Sequence, residues 1–310
     1  VRGMSEGVSL RHRLEYGLFR TIRGLVSLLP LPLALALGDA LGWISGVLLR
    51  IRRDAVDENL LRAFPDAGPA WRRRTAVASY RHLGREAVVT FRLAGVPAER
   101  IREMTEFDGL DELLAAVEAG AGVVVVTGHL GNWEMGSACL AARGVPIDAV
   151  MHRQRNRRFD EDLRETRGRL GMGIILRDVA PRRVLASLRA GRVVGLVADQ
   201  NVAGAGIFVD FFGVPASTAR GPAVFALRTG APVFVGVAVR NPEAGPRYRA
   251  LVRRVSVALG DDTEENVRRI TEATTTALES YVRSYPEQYF WQHRRWKTRP
   301  PATVPPAGTP

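Results

Sequence analysis

Four short runs of apolar, mostly β-branched residues restrict the folds open to this chain. They are GVVVVT (122–127), IDAVM (147–151), VVGLVA (193–198) and PVFVGVAV (232–239). Stretches with helical periodicity separate or follow these runs, near 132–143, 157–170, 181–189, 219–229 and 263–284. Continuously apolar strands that alternate with helices are typical of a mainly parallel sheet covered on both faces. We therefore predict an α/β fold with a mainly parallel central sheet flanked by helices.

The first part of the chain has a different pattern. Residues 53–64 and 69–94 are predicted to be helices, because proline and glycine punctuate the chain between them. At the other end, residues 300–310 are rich in Pro, Ala and Gly and are predicted to be disordered. We predict an α/β domain over residues 53–299, preceded by a separate helical segment over residues 1–52.

An apolar stretch at residues 25–49 points to a membrane. A spanning helix needs ~20 predominantly apolar residues, and Pro30 and Pro32 would end or kink a helix near the start of this stretch. Arginines flank it on both sides, as in helices that lie in an anionic interface. We predict that residues 1–52 associate with the membrane surface, with a single span as the alternative. A cleaved signal peptide is disfavoured, since the apolar run continues past the small residues Ala34 and Ala36.

The formal net charge of +12 is carried almost wholly by arginine, because Lys297 is the only lysine. Arginine binds phosphate and carboxylate through a planar fork, so such a surface suits an anionic partner. Nucleic acid, an anionic bilayer and an acidic carrier protein all qualify. The single cysteine, Cys139, excludes an internal disulfide framework and a cysteine-rich zinc site, and it suits a reducing compartment.

The stretch TGHLGNWEMG (127–136) follows the first predicted strand and precedes a helix. In an open α/β sheet this turn lies at the carboxyl edge, where ligands bind. Gly128 and Gly131 allow a tight turn and close approach by a substrate. Asn132 is predicted to cap the helix, which places Glu134 in the first helical turn and His129 just before it.

A carboxylate across a turn from a histidine can accept a hydrogen bond from one imidazole nitrogen and leave the other free to take a proton. His129 and Glu134 are therefore a candidate base and its orienting acid. The alternative is a turn histidine with a glutamate that only counters the helix dipole. No G-x-S-x-G nucleophile motif and no H-E-x-x-H zinc motif occurs, so a substrate hydroxyl is expected to act as the nucleophile, and no metal is implied.

Several segments in order resemble one family. An H-x4-E pattern after an apolar strand resembles the H-x4-D/E signature of glycerolipid and lipid A acyltransferases. Further segments are similar to the lipid A biosynthesis acyltransferases: ENLLRAFPD (58–66), VMHRQRNRRFDEDLRETRGRLGM (150–172), LVADQN (196–201), FFGVPASTARGPAVFALRTGAPV (211–233) and PEQYFWQHRRWKTRP (286–300). The likeness covers most of the chain.

The resemblance implies that His129 is the general base, with Glu134 as its partner. An acceptor hydroxyl would attack an acyl thioester on acyl carrier protein, with acyl-CoA as the alternative donor, and no cofactor would be needed. The expected acceptor is a lipid A precursor; another glycolipid, such as a phosphatidylinositol mannoside, or a lysophospholipid is the alternative. The expected location is the cytoplasmic face of the inner membrane.

Further residues are candidates for substrate binding. Arg153 and Asn156 belong to the HRQRN block, and the family resemblance implies that this block holds a phosphate or headgroup. Asp199 and Gln200 follow the strand VVGLVA at the carboxyl edge, and Arg220 begins a helix that could meet an anionic group. Asn132, at the helix start, completes the set.

The HRRWK stretch alternates aromatic and cationic residues, which suits a bilayer interface, a carrier-protein contact or single-stranded nucleic acid. The competing hypothesis of another class is a non-catalytic basic protein that binds membrane or nucleic acid. No helix-turn-helix, zinc-finger or RNA-binding motif supports base readout, so nucleic acid is not expected as a partner.

Overall fold

The computed structural model describes residues 10–241, 247–258 and 260–301. Its α-helices are α1 Leu10–Leu28, α2 Leu31–Trp43, α3 Arg53–Ala63, α4 Pro69–Leu93, α5 Ala98–Met104, α6 Leu110–Glu118, α7 Trp133–Ala141, α8 Arg157–Arg169, α9 Ala180–Arg189, α10 Gly221–Thr229 and α11 Glu264–Ser284. The strands are β1 Thr105–Asp108, β2 Val123–Thr127, β3 Ile147–Met151, β4 Gly173–Leu176, β5 Val193–Val197, β6 Ile207–Phe211, β7 Val214–Thr218, β8 Val233–Arg240 and β9 Tyr248–Arg254. A π-helical turn, Ile44–Leu48, extends α2.

The central sheet has the strand order β1-β9-β8-β2-β5-β3-β4 in the described part of the chain. Its neighbouring strands are parallel except at the β8–β9 pair. The four apolar runs of the sequence form β2, β3, β5 and β8 in the interior of the sheet, where both faces are covered. The predicted α/β class with a mainly parallel sheet is confirmed, and β6 and β7 form a separate antiparallel hairpin.

The register of β2 against β5 positions the site. Thr127 and Val197, the last residues of these two strands, are paired. Because parallel strands end at the same edge of a sheet, the residues that follow Thr127 and Val197 leave the sheet side by side. The turn after β2 carries His129, and the turn after β5 carries Asp199.

The apolar N-terminal stretch forms two helices rather than one. Pro30 lies between α1 and α2 as the N-terminal cap of α2, as expected of a residue that cannot continue a helix. The segment Leu31–Leu48 is long and apolar enough to cross a membrane by length and composition. The predicted helices at 53–64 and 69–94 are confirmed as α3 and α4.

Glycines let α2 pack very closely on α4. A Cβ on Gly38 would lie 2.5 Å from the carbonyl oxygen of Gly84, and one on Gly42 would lie 2.2 Å from that of Tyr80. As α2 proceeds along the chain it therefore meets earlier residues of α4, so the two helices run antiparallel. The small-residue side of α2 is buried in this contact, whereas Leu33, Leu37 and Leu41 are exposed.

The termini extend beyond the described residues. Residues 1–9, at the start of the predicted helical segment, and residues 302–310 of the predicted disordered tail lie outside them. The stretch just before that tail is part of the core: Trp291 and Trp296 are buried, and so is Arg295. Arg295 donates hydrogen bonds to the carbonyl oxygen of Ser217 and to the hydroxyl of Thr218. The expectation that Arg295 and Trp296 face a membrane, carrier or nucleic acid is therefore wrong.

Candidate active site

His129 and Asp199 form a hydrogen-bonded pair where β2 and β5 leave the sheet. The Nδ1 atom of His129 lies 2.7 Å from Oδ1 of Asp199. The backbone N–H of His129 donates to Oδ2 of the same carboxylate at 2.8 Å. Both carboxylate oxygens of Asp199 thus contact one residue, which fixes the ring and the turn that carries it.

This contact determines which nitrogen of the imidazole can act as a base. A carboxylate accepts a hydrogen bond from Nδ1–H. In the neutral ring, Nε2 is therefore the nitrogen with a free lone pair that can accept a proton. Nε2 lies 3.2 Å from the side-chain amide nitrogen of Gln200, which can donate to that lone pair. The indole of Trp133 meets the ring edge to face, with centroids 4.8 Å apart. His129 therefore presents Nε2 as a hydrogen-bond acceptor.

The two groups shift each other's pKa. Burial lowers the pKa of His129, but the charge of Asp199 and its hydrogen bond raise it by more, so this pKa lies above its ordinary value. Burial raises the pKa of Asp199, and the charge and hydrogen bonds of His129 outweigh that effect and lower it. Asp199 is therefore ionised wherever His129 can exchange a proton near neutral pH.

Glu134 does not contact the imidazole, and the predicted pairing with His129 is corrected here. It instead forms a two-point ion pair with Arg167 of α8, in which Nε of Arg167 lies 3.0 Å from Oε2 of Glu134 and Nη2 donates to Oε1. The side chain of Glu134 starts in the first turn of α7, as predicted, but points toward α8. Asp199 reaches His129 because the parallel pairing of β2 and β5 brings their ends together. The spacing of residues along the chain does not reveal this contact.

The turn around His129 depends on two glycines. A Cβ on Gly131 would lie 2.0 Å from the carbonyl oxygen of Ala238, and its φ is +65°. A Cβ on Gly128 would lie 3.0 Å from Oδ2 of Asp199. Glycine at these positions lets the turn approach β8 and leaves room for the Asp199 carboxylate.

Asn132 caps α7, as predicted. Its Oδ1 accepts a hydrogen bond from the backbone N–H of Met135 at 2.9 Å. Its backbone N–H donates to the carbonyl oxygen of Ala238 at 2.8 Å. Asn132 thus joins the turn that carries His129 to the helix that carries Glu134.

A cavity of about 260 Å³ opens beside His129. Its walls come from α4, from the turn after β2 and from the C-terminal segment, and they include Phe91, Trp133, Glu134, Gln288 and Phe290. A second cavity of about 250 Å³ lies between α1, α4 and α8. Thr90, Phe91 and Glu134 line both cavities, so these residues separate two largely apolar spaces that adjoin one another. Apolar spaces with a few polar groups are typical of small-molecule sites.

Other predicted site residues lie elsewhere. Arg153 is exposed and its Nε lies 3.7 Å from Asp178. Arg220 is half-exposed, and its Nη2 lies 2.6 Å from Oε2 of Glu264. Neither residue lines the cavity beside His129.

Asn156 is buried as the N-terminal cap of α8, where it accepts from the backbone of Arg158 and donates to the carbonyl oxygen of His12. Its contacts give it a structural part at the start of α8.

Arg167 was missed by sequence reasoning, because an arginine near the end of a charged helix carries no local signal of a buried ion pair. Among the described residues, no group of three or more His, Cys, Asp or Glu side chains is placed to hold a metal ion.

Known proteins resemble this chain over most of its length. The profile of the family described as bacterial lipid A biosynthesis acyltransferase matches residues 8–298. The chain is 29% identical to the lipid A biosynthesis palmitoleoyltransferase of Escherichia coli over 276 residues, which are 88% of this chain and 87% of that protein. It is 30% identical to the phosphatidylinositol mannoside acyltransferase of Mycolicibacterium smegmatis over 72% of this chain and 71% of that protein. It is 28% identical to the lipid A biosynthesis lauroyltransferase of Escherichia coli, over 89% of each chain.

Proposed function

Because the chain belongs to the bacterial lipid A biosynthesis acyltransferase family and is an acyltransferase, we propose that it moves a fatty acyl chain from acyl carrier protein to a hydroxyl of a lipid A precursor. The observation that carries this proposal is the His129–Asp199 pair, at 2.7 Å, beside a cavity large enough for part of an acyl chain. A hydroxyl-bearing acceptor suits this site, since His129 supplies a base and the sequence supplies no nucleophile motif of its own.

We propose a direct transfer through one tetrahedral intermediate. Nε2 of His129 takes the proton of the acceptor hydroxyl as its oxygen attacks the thioester carbonyl carbon. The tetrahedral intermediate expels the carrier thiolate when the carbon–sulfur bond breaks, and the imidazolium returns the proton to that sulfur. Asp199 holds the Nδ1–H and stabilises the imidazolium, in the way that a buried aspartate serves a hydrolase triad. In this scheme Asp199 replaces Glu134 as the partner of His129, and Glu134 shapes the cavity wall with Arg167.

No cofactor enters the proposed step, because the thioester supplies the activated acyl group. Acyl carrier protein is the proposed donor, and the net charge of +12 favours an acidic carrier over a neutral one. Acyl-CoA has the same thioester chemistry and is the alternative donor.

A phosphatidylinositol mannoside or a related glycolipid is the alternative acceptor. The mycobacterial relative is as similar to this chain as the lipid A enzymes are, although over a shorter part of it. Both kinds of acceptor offer a hydroxyl, which the proposed base would deprotonate in the same way. A purely binding role is disfavoured by the His129–Asp199 pair, because its imidazole lines a cavity and keeps Nε2 as a hydrogen-bond acceptor.

We also propose that the protein lies on the cytoplasmic face of the inner membrane. Eight aliphatic side chains of α1 and α2, which we call the leucine face, are exposed: Leu14, Leu18, Ile22, Leu25, Leu28, Leu33, Leu37 and Leu41. They recur every three or four residues along each helix, which places those of one helix on one side, and exposed apolar surface of this extent marks an interaction site. A bilayer interface is the partner that suits it, because α1 also carries four arginines: Arg11, Arg13, Arg20 and Arg23.

The packing of α2 favours lying on the membrane over spanning it. Along the glycine contact, α2 lies against α4, which carries Arg73, Arg74, Arg81 and Arg85 around a groove of about 480 Å³. Arg81 and Arg85 also bind Asp39 of α2. A spanning α2 would carry these charges into the hydrocarbon, which is costly. At the interface, the same arginines would meet lipid phosphates.

The first experiment measures transfer from labelled acyl carrier protein to lipid A precursors, phosphatidylinositol mannosides and lysophospholipids, with His129→Ala as the control. Product on a lipid A precursor alone supports the proposed acceptor, and product on a mannoside alone selects the alternative. Equal product from His129→Ala and the wild type on every acceptor would contradict the proposed base.

A further inference from the structure

Asn132 has a second contact that the proposed reaction does not use. Its side-chain Nδ2 donates to Oε2 of Glu86 at 2.8 Å, while its Oδ1 caps α7. An asparagine amide can be turned so that oxygen and nitrogen exchange places. In the turned orientation, Oδ1 would face the carboxylate of Glu86 and Nδ2 would face the backbone N–H of Met135. Acceptor would meet acceptor and donor would meet donor, so the carboxylate permits one orientation.

Glu86 is set deep in the protein on α4. It is 5% exposed and lines the cavity beside His129. Oε1 accepts from Nε of Arg240 at 2.7 Å, and Oε2 accepts from the hydroxyl of Tyr248 at 2.5 Å. Burial raises the pKa of Glu86, and the charge of Arg240 and the hydrogen bonds lower it by more, so the carboxyl is ionised. Three elements of the fold therefore converge on one carboxylate.

A second side chain of α4, that of His82, also contacts the turn that carries His129. Nε2 of His82 lies 3.3 Å from the carbonyl oxygen of Gly131, at hydrogen-bond distance. Arg240 is also linked to Gln288, whose carbonyl oxygen accepts from the N–H of Gly131 at 3.0 Å. The contact with Gln288 uses the backbone N–H of Arg240, so it does not depend on the ion pair with Glu86, and the side chain of Asn132 is the direct link between Glu86 and the turn that carries His129.

We propose that Glu86 is a positioning residue for the acyl transfer. Its negative charge fixes the amide of Asn132, and Asn132 in turn fixes the start of α7 and the angle of the turn that carries His129. Glu86 has no part in proton transfer, because the imidazole is paired with Asp199. The proposal rests on the proposed reaction at His129 and deepens it, without depending on which acceptor is used.

The test begins with Glu86→Gln, measured with whichever acceptor supports turnover. A glutamine at position 86 can pair with either orientation of the Asn132 amide, so the turn loses its single arrangement. We expect kcat to fall about 10- to 100-fold, as for a misplaced catalytic group, while the KM of each substrate changes less than about threefold. The melting temperature should also fall, because Arg240 loses its buried counterion.

A second variant separates positioning from stability. Glu86→Gln combined with Arg240→Met removes both charges, and replacing a buried ion pair in this way often costs little stability. We expect the melting temperature to return toward the wild-type value and kcat to stay low. If kcat recovers together with the melting temperature, Glu86 supports only the fold and the proposal is overturned.

Two further variants keep the test decisive if the double variant does not fold. Tyr248→Phe removes one hydrogen bond to Glu86 without touching Asn132, and we expect lower stability with kcat within about twofold of wild type. In an Asn132→Ala background, Glu86→Gln should change kcat little, because the group it acts through is gone. Fully additive effects of these two substitutions would overturn the proposal. Retained activity in His129→Ala would instead contradict the reaction itself.

Discussion

Asp199 carries a negative charge inside the protein, and the imidazole of His129 is in direct contact with it. The charge and hydrogen bond of Asp199 overcome the effect of burial and raise the pKa of His129. A base must be unprotonated, so activity should increase as the pH rises through this raised pKa. The acid side of the pH profile therefore reports the contact between the two residues.

The first prediction concerns Asp199→Asn. Without the carboxylate charge, the pKa of His129 should fall, and the acid limb of kcat/KM should move to lower pH. The maximal kcat should drop by about 10²- to 10⁴-fold, because an asparagine no longer stabilises the imidazolium or selects the required tautomer. A pH–rate profile of the wild type and the variant checks both effects. An acid limb that stays in place would show that Asp199 does not control His129.

The second prediction concerns Glu134→Gln. This is the same carboxylate-to-amide change as Asp199→Asn, made at the residue that pairs with Arg167. Arg167 would lose its charged partner in a mostly buried setting, which costs ~3–5 kcal/mol when one member of a buried pair is removed. The melting temperature should therefore fall. The acid limb should stay where it is in the wild type, because Glu134 does not contact the ring. An acid limb that shifts as far as in Asp199→Asn would restore Glu134 as the partner of His129.

At the scale of elements, the close approach of α2 and α4 depends on glycine. A Cβ on Gly84 would lie 2.0 Å from the carbonyl oxygen of Gly38, and both atoms are held by helices. The third prediction is that Gly84→Ala pushes the helices apart and destabilises the protein by ~1–3 kcal/mol, as overpacking does.

The control for this contact is Gly24→Ala in α1, where an added Cβ meets nothing within 4 Å. This change should leave the melting temperature unchanged or raise it, because alanine is a better helix former than glycine. Thermal unfolding of both variants makes the comparison. Equal melting temperatures for Gly84→Ala and the wild type would mean that α2 is not packed on α4 as described.

At the scale of the whole molecule, the leucine face and the arginines of α4 are carried by helices that pack together through the glycine contact. The fourth prediction is that the triple variant Leu33→Gln, Leu37→Gln and Leu41→Gln weakens binding to anionic phospholipid vesicles at least tenfold. Full burial of a leucine contributes ~1.5–3 kcal/mol, so partial loss at three positions suffices for this effect. Vesicle co-sedimentation measures it.

Leu61→Gln on α3 is the control, since Leu61 is about as exposed as Leu41 but lies outside the leucine face. Binding of this variant should match the wild type.

A further variant, Arg73→Glu with Arg74→Glu, should weaken binding mainly at low salt, because exposed charges are screened as the ionic strength rises. Undiminished binding of the leucine triple variant would place the membrane contact elsewhere on the chain.

Much of the architecture was determined by local patterns in the sequence. The runs that became β2, β3, β5 and β8 are predominantly apolar, as expected of strands covered on both faces, and their alternation with helices sets the fold class. The cap at Asn132 is equally local, because a side chain reaches a backbone N–H three residues on. The pattern missed β9, which carries arginines and runs antiparallel to β8 near the sheet edge.

The partners of the charged side chains were decided by the tertiary structure. Asp199 follows His129 by 70 residues, and only the register of β2 against β5 brings them together. Glu134 lies five residues from His129 but points to Arg167 on α8, because the side chains of a helix leave its axis in different directions. Likewise Glu86 meets Asn132 only where α4 packs against the turn. Spacing along the chain specifies which groups are present at a site, whereas the packing of strands and helices specifies which of them touch.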